Sequence, residues 1–97
     1  MKPKISVIIP ACNAQKYISE AIDSVSAAST SIPLEIIVVN DGSTDGTSDI
    51  VSSMNAILLE KEKGGAASAR NAGLKASSGE LIAFLDADDV YAPDALD

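Results

Sequence analysis

The stretch LEIIVVNDGSTD, residues 34–45, joins an apolar run to a run of turn-forming residues. Its first half, Leu34–Val39, is rich in β-branched residues and apolar at its centre, which is typical of a strand buried on both faces. The polar segment that follows, Asn40–Thr47, contains residues that tolerate unusual backbone angles or cap helices, so it predicts a loop. A buried strand that leads directly into such a loop favours a parallel sheet.

Three further apolar segments predict the other strands. Ile5–Ile9 is short and β-branched, and we expect Pro10 to end it because proline cannot donate to a β-ladder. Leu81–Leu85 predicts the last strand, and Ala56–Leu59 predicts a weaker one before it.

Helical spacing fills each gap between these strands. The first helix begins near Gln15, and Asn13 is its predicted cap. Apolar residues at 50, 51 and 54 mark a short second helix, and a third runs from about Ala66 to Lys75. The third helix has small residues on its predicted inner face, so it can lie very close to the sheet: Ala66, Ala69, Gly73 and Ala76.

The order β-α-β-α-β-α-β predicts an α/β protein with three α/β/α layers around a mostly parallel sheet. Ligands of open parallel sheets bind at the carboxyl ends of the strands. The polar segments 10–13, 40–45 and 86–89 each follow a predicted strand directly, so we expect all three along one edge of the sheet. This convergence indicates a binding site there.

Composition limits the size and the chemistry of the protein. The 97 residues fit one domain, residues 1–97. A formal charge of −7 argues against a nucleic-acid surface, which needs clustered Lys and Arg. The chain has no histidine, which excludes His-based catalysis, and its single cysteine, Cys12, excludes an intrachain disulfide. No apolar run reaches the roughly 18 residues of a membrane helix, and we expect a cytoplasmic chain.

Three carboxylates, those of Asp86, Asp88 and Asp89, follow the last predicted strand. Two such charges about 5 Å apart repel by about 3 kcal/mol at an effective dielectric of 20. Either solvation or a divalent cation with oxygen ligands, Mg²⁺ or Mn²⁺, relieves this repulsion. The two interpretations are therefore a metal site and a solvated acidic loop that starts a helix near Pro93.

Asp41 and Arg70 are the other candidates. At the end of its strand, Asp41 can accept hydrogen bonds from a ligand, whereas the alternative is a simple turn capped by Thr44 or Asp45. Arg70 is the only arginine, and its guanidinium group suits a phosphate or a base carbonyl. The alternative for Arg70 is an exposed helix residue paired with a carboxylate. Gly64-Gly65 resembles a phosphate-cradling loop only loosely.

Four segments occur in order on the predicted elements: SVIIPACN, EIIVVNDGSTDGT, GGAASARNAGL and GELIAFLDADD. Together they resemble the nucleotide-sugar-binding half of family 2 glycosyltransferases, which have the Rossmann-like GT-A fold. The resemblance covers Ile5 to about Asp94. It implies transfer of a sugar from a nucleoside-diphosphate sugar, usually a UDP-sugar, to a hydroxyl of a glycan or lipid-linked acceptor. Polysaccharide or cell-envelope glycan synthesis is the implied setting.

The resemblance also implies roles for individual residues. The segment after the first strand and Asp41 would contact the base and ribose, and Arg70 would help to hold the nucleotide. Asp86 would lie at the ribose or the metal, and Asp88 would bind the Mn²⁺ or Mg²⁺ ion that bridges the diphosphate. The segment after the first strand consists of Pro10, Ala11, Cys12 and Asn13.

Two features depart from the family. The family commonly has Tyr or Phe where this chain has Cys12, and a thiol cannot stack on a base as a ring does. Two interpretations of Tyr17, one helical turn further on, stay open: a substitute for that ring, or simply a partly buried helix residue. In the family the general base and the acceptor-binding half lie downstream of the matched segments. We therefore expect no catalytic residue in this chain and no efficient transfer from it alone.

The sequence leaves two alternatives open. One is a non-catalytic nucleotide-binding or regulatory module, and the other is a phospho-accepting signalling domain with Asp41 as acceptor. A sheet without its downstream half would expose apolar surface, so we expect homo-oligomers at high concentration. The expected location is the cytoplasm, including the inner face of the membrane.

Overall fold

The computed structural model describes residues 3–28 and 31–91, in which strands and helices alternate. The strands are β1 (Ile5–Ala11), β2 (Leu34–Asp41), β3 (Ile57–Lys61) and β4 (Leu81–Phe84). The helices are α1 (Ile18–Ala28), α2 (Thr47–Ser52) and α3 (Ala66–Ala76). The predicted helix near Pro93 lies outside the described residues, as do Ser29 and Thr30 of the segment after α1.

All strand pairs are parallel, and the strand order is β3-β2-β1-β4. The two central strands, β1 and β2, pair over seven residues from Ile5↔Leu34 to Ala11↔Asn40. Helices α1 and α2 pack on one face of the sheet, and α3 packs on the other face against β1 and β2. The predicted three-layer α/β fold is confirmed.

Alternation along β1 divides the core between the two faces. Val7 and Ile9 are fully buried in the cluster that contains Ile22 of α1. Ile8 points to the other face, where it packs with Ala69 of α3. Burying one such aliphatic side chain stabilises the fold by about 1.5–3 kcal/mol. Because both faces are covered, β1 and β2 are apolar without the polar alternation of a half-exposed strand.

The prediction that Pro10 ends the first strand is wrong, because β1 continues to Ala11. The carbonyl of Ile8 accepts a hydrogen bond from the Leu85 N–H, so the backbone N–H and C=O groups of even-numbered β1 residues point toward β4. The backbone nitrogen of Pro10 also points toward the β4 side, but at a level where β4 has already ended, at Phe84. Its missing N–H therefore leaves no ladder bond unmade.

Strand β2 also runs further than predicted. Asn40 and Asp41, expected in a loop, belong to β2 and pair with Glu60 and Lys61 of β3. Strand β3 is correspondingly longer than the predicted Ala56–Leu59. These ends depend on cross-strand pairing, which the hydrophobicity of one segment does not reveal.

The helix boundaries also differ from the prediction. Helix α1 begins at Ile18 rather than near Gln15, and Asn13 does not cap it, because the Asn13 side chain accepts hydrogen bonds from Thr44 instead. Helix α2 ends before Met54.

Helix α3 lies very close to the sheet, as its small residues predict. Ala69 and Gly73 are buried, whereas Ala66 and Ala76, also predicted on the inner face, are exposed. A Cβ atom on Gly73 would lie 2.5 Å from the Cγ2 of Ile8. Only a glycine therefore fits at this crossing.

Of the helices in residues 3–28 and 31–91, none is long and apolar enough to span a bilayer. At the edge of the sheet, the side chains of Ile82 and Phe84 in β4 remain 37% and 43% exposed. An edge strand with exposed apolar residues favours pairing with another chain.

Replacing Gly73 by alanine tests the close approach of α3. Alanine normally favours a helix by about 0.5–1 kcal/mol over glycine, but here the added methyl group overlaps Ile8. We expect Gly73→Ala to lower the free energy of unfolding by about 1–3 kcal/mol in urea denaturation. In an Ile8→Ala background the same substitution should cost less, and an equal cost in both backgrounds would contradict the steric explanation.

The edge of β4 generates a second prediction. We expect the protein to associate as its concentration rises, and the Ile82→Lys, Phe84→Lys double variant to associate less, because charged side chains protect sheet edges. Light scattering across a concentration series measures this. Equal association of both proteins would show that β4 is not the contact surface.

Candidate functional site

The candidate site lies at the carboxyl ends of the strands, where four connecting segments meet. They are the β1–α1 loop (12–17), the β2–α2 loop (42–46), the β3–α3 loop (62–65) and the segment after β4 (85–91). The sequence predicted the convergence of the first, second and fourth of these.

Asp41 ties the end of β2 to the start of α3. One carboxylate oxygen, Oδ1, accepts hydrogen bonds from Lys61 Nζ and from the Gly64 N–H, both at 2.9 Å. The other, Oδ2, accepts one from the Gly65 N–H at 3.0 Å. Gly65 has φ 95°, a backbone conformation that favours glycine. The Gly64-Gly65 segment resembles a phosphate-cradling loop only loosely, and here its two N–H groups donate to the Asp41 carboxylate.

These contacts favour the charged form of Asp41. The hydrogen bond from Lys61 is the largest cause, and the Gly64 N–H adds to it. Burial of the carboxyl group opposes them, but the pKa of Asp41 is lowered overall. The carboxylate therefore stays ionised, and can accept hydrogen bonds, at lower pH than an ordinary Asp side chain does.

Two clefts adjoin at this edge and share Pro10 and Cys12 in their walls. The first, the α3 cleft, has a volume of about 110 Å³, and its lining is Pro10, Ala11, Cys12, Asp41, Ala66 and Ala69. The second, the α1 cleft, has a volume of about 260 Å³, and its lining is Pro10, Cys12, Asn13, Ala14, Tyr17, Ala87 and Asp88. Asp41 and Asp88 thus lie in neighbouring clefts rather than in a single one.

Arg70 and Asp86, both predicted site residues, form an ion pair beside these clefts. The distance from Arg70 Nη2 to Asp86 Oδ1 is 3.7 Å, and the side chains are 41% and 64% exposed. An ion pair this exposed contributes little to stability, so both groups can turn to a ligand at small cost.

The segment after β4 contains a tight turn that carries the acidic residues of the candidate metal site. The Asp89 N–H donates to the Asp86 carbonyl at 3.0 Å, which closes a turn around Asp88. Among the described residues, no group of three His, Cys, Asp or Glu side chains could hold a metal ion. Mg²⁺ usually binds through one or two carboxylates together with substrate phosphates. Asp86 and Asp88 are two carboxylates in this segment, a number that such a site can take from the protein.

Sequence reasoning missed two lysines of the β3–α3 region. Lys61 pairs in register with Asp41, which explains their contact, but the register was hidden because β3 was predicted to end at Leu59. Lys63 Nζ lies 3.5 Å from the Sγ of Cys12. A prediction that β3 extends to Lys61 would have placed Lys61 beside Asp41 and so revealed the first of these contacts.

Asp41 generates a pH prediction. Its folded-state pKa lies below the usual value of 3.8, so its stabilising contribution is present above that value and is lost as the pH falls through the lower folded-state pKa. We expect Asp41→Asn to unfold at lower urea concentration than the unchanged chain at neutral pH, and the difference to narrow below pH 3.8. Asp23→Asn, at an exposed position of α1, is the matched control. A difference that stays constant down to the lowest pH would contradict this.

Comparisons with known proteins agree with this architecture. The chain is 37% identical over 100 residues to chondroitin synthase from Pasteurella multocida, an alignment that covers 98% of this chain and 10% of that protein. The chain spans only 10% to 40% of the length of curated relatives such as this one.

Two solved structures are similar to the fold described here. The crystal structure of Staphylococcus aureus TarS 1-349 in complex with UDP has a TM-score of 0.80 and 36% identity, covering 90% of this chain and 28% of that one. Glucosyl-3-phosphoglycerate synthase from Mycobacterium tuberculosis, crystallised with Mn²⁺, UDP and glucosyl-3-phosphoglycerate, has a TM-score of 0.77 and 30% identity. That match covers 88% of this chain and 33% of the other.

The family model described as "Glycosyl transferase family 2" matches residues 6–97, which includes every predicted site residue. The matched segment contains β1, the Asp41 region, α3 and the acidic turn after β4, which are the parts that carried the resemblance in the sequence. The chain belongs to glycosyl transferase family 2.

Proposed function

We propose that this chain is the donor-binding part of a glycosyltransferase that transfers a sugar from a UDP-sugar to a hydroxyl acceptor, with Mn²⁺ or Mg²⁺ bound at Asp86 and Asp88. The observation that carries the proposal is the pair of adjoining clefts at the carboxyl ends of the strands. Asp41 lies in one cleft and Asp88 in the other, and Cys12 lines both. We infer that a nucleoside diphosphate lies across both clefts, with its base at Asp41 and its diphosphate at Asp88.

The hydrogen bonding of the Asp41 carboxylate is evidence for a ligand whose base carries an N–H group, as uracil does. A carboxylate offers about four acceptor positions. Three are used, two on Oδ1 and one on Oδ2. One position on Oδ2 therefore remains for a ligand, and the lowered pKa keeps it an acceptor at physiological pH. Lys61 and the β3–α3 loop fix the orientation of this group.

Asp86, Asp88 and Arg70 support the diphosphate end. Cleavage of the bond between sugar and phosphate leaves negative charge on the departing nucleoside diphosphate, and this charge must be stabilised. A bound divalent cation supplies Lewis-acid stabilisation of that charge. Arg70, exposed and only loosely paired with Asp86, can add its guanidinium group to a phosphate or a base carbonyl.

The similar proteins support the same ligands. The S. aureus neighbour was solved with UDP, and the M. tuberculosis neighbour was solved with Mn²⁺ and UDP. Chondroitin synthase among the relatives supports a glycan acceptor, as in polysaccharide or cell-envelope glycan synthesis. The general base, the acceptor contacts and the cytoplasmic location stay predictions from the sequence.

Titration calorimetry with UDP tests the proposal. We expect heat of binding in the presence of Mn²⁺ and weaker or no binding without it. Asp88→Asn should remove the difference that Mn²⁺ makes, because it removes a carboxylate ligand and keeps the side-chain shape.

Asp23→Asn in α1 is the matched control, since it makes the same charge change at an exposed position of a helix. It should bind UDP with the same dependence on Mn²⁺ as the unchanged chain. Absence of binding by the unchanged chain at millimolar UDP with Mn²⁺ would overturn the proposed function. Mn²⁺-dependent binding that persists in Asp88→Asn would overturn the metal assignment alone.

A further inference from the structure

The β1–α1 and β2–α2 loops are hydrogen-bonded to each other in both directions at Asn13. The Asn13 N–H donates to the Oγ of Ser43 at 2.8 Å. In return, the Thr44 N–H donates to the side-chain Oδ1 of Asn13, also at 2.8 Å. The contacts join loops that are about 30 residues apart in sequence, so they fix tertiary rather than local structure.

The next two residues of the β1–α1 loop continue the pattern. The Ala14 N–H donates to the Oγ1 of Thr47 at 2.9 Å, and the Gln15 N–H donates to Asp45 Oδ2 at 3.2 Å. The Gly46 N–H donates to Gln15 Oε1 at 2.7 Å. We call the hydrogen bonds between residues 13–15 and 43–47 the inter-loop clamp. Loop N–H groups that water would otherwise solvate are here committed to protein partners.

Asn13 has a backbone conformation that suits this role. Its φ of 52° lies in the left-handed region, which asparagine adopts more readily than most residues. This conformation follows directly after Cys12, at the point where the chain leaves the edge of the sheet. The residue therefore combines a sharp change of chain direction with a side-chain acceptor for the neighbouring loop.

The clamp holds one wall of the α1 cleft, at Asn13 and Ala14, against the β2–α2 loop and the start of α2. Cys12, which lines both clefts, directly precedes Asn13 in the chain. Ser43 lies two residues after Asp41. Ser43 also donates to the side-chain oxygen of Asn40 in β2. Ala11 already pairs with Asn40 in the sheet, so the clamp acts on the segment after Cys12, where Asn13 and Ala14 line the α1 cleft.

We propose that Asn13 is a positioning residue for nucleotide binding, which acts through its side-chain oxygen on the Thr44 N–H and so fixes the wall of the α1 cleft at Asn13 and Ala14. The direct nucleotide contact that the resemblance implies for Asn13 stays a prediction, and the experiments below separate the two roles. The inference rests on the proposed function, because it concerns the same site.

Replacing Asn13 in two ways separates positioning from direct contact. Asn13→Gly keeps the left-handed backbone and loses the oxygen, and we expect it to weaken UDP binding by at least about tenfold, as loss of supporting contacts often does. Asn13→Asp keeps the oxygen and loses the amide NH₂ group, so it should bind UDP within about threefold of the unchanged chain once salt screens its added charge. Equal losses in both variants at all salt concentrations would show a direct contact through the NH₂ group and overturn the inference.

Amide hydrogen exchange of Thr44, measured by NMR, observes the clamp itself. We expect the Thr44 N–H to exchange faster in Asn13→Gly than in the original chain. In the original chain, adding UDP and Mn²⁺ should not alter its exchange rate. Faster exchange of the Thr44 N–H on UDP binding would mean that the Asn13 oxygen moves to the ligand, and would contradict the inference.

Asn55→Gly is the matched control, since it makes the same substitution at an exposed bend before β3, at the opposite end of the sheet. It should change neither UDP binding nor exchange at Thr44. If the unchanged chain binds no UDP, the proposed function fails. If it binds UDP and Asn13→Gly binds equally well, the inference alone fails.

Discussion

The register between β1 and β2 is the constraint on which the rest of the site depends. Seven residues of β1 pair with seven of β2, and the two strands leave the sheet at the same level. Because successive side chains of a strand point to opposite faces, a slip of one residue would exchange the two faces of β2. The register is fixed by burial on both sides, with Ile36 and Val38 under α1 and α2 and Ile37 and Val39 under α3. The core therefore decides which polar residues at the end of β2 face which helix.

Asn40 and Asp41 show this consequence directly. They are neighbours in sequence at the end of β2, yet they point to opposite faces. The Asn40 side chain donates to Ser48 of α2 at 2.6 Å, whereas Asp41 accepts hydrogen bonds from Gly64 and Gly65 at the start of α3. One residue of the pair thus orders the layer of α1 and α2, and the other orders the layer of α3, so that both layers are held to one strand end.

The sequence predicted the element order, the parallel sheet and the edge where the polar segments meet, because these follow from apolar runs and helical spacing within single segments. It predicted less well where strands end. The length of β1 beyond Pro10 depends on where β4 stops, and the inclusion of Asp41 in β2 depends on pairing with Lys61. The contacts of Asn13 were missed for the same reason, since its partners lie about 30 residues away. Partners of this kind are set by the assembled sheet and have no signature in the local pattern.

Acidic and basic groups are paired at the site. The chain carries 14 acidic and 7 basic residues, so its overall field repels an anionic nucleotide. At the strand ends, however, Lys61 is paired with Asp41, and Arg70 lies beside Asp86. Lys63 adds a further ammonium group next to Cys12. Since charges more than about 8–10 Å away are largely screened at physiological ionic strength, a ligand at the clefts is affected mainly by these nearby groups and less by distant carboxylates. Within residues 3–28 and 31–91, Asp88 forms no ion pair with a Lys or Arg side chain. Under the proposed function, a divalent ion shared with a diphosphate would supply the positive charge at that position.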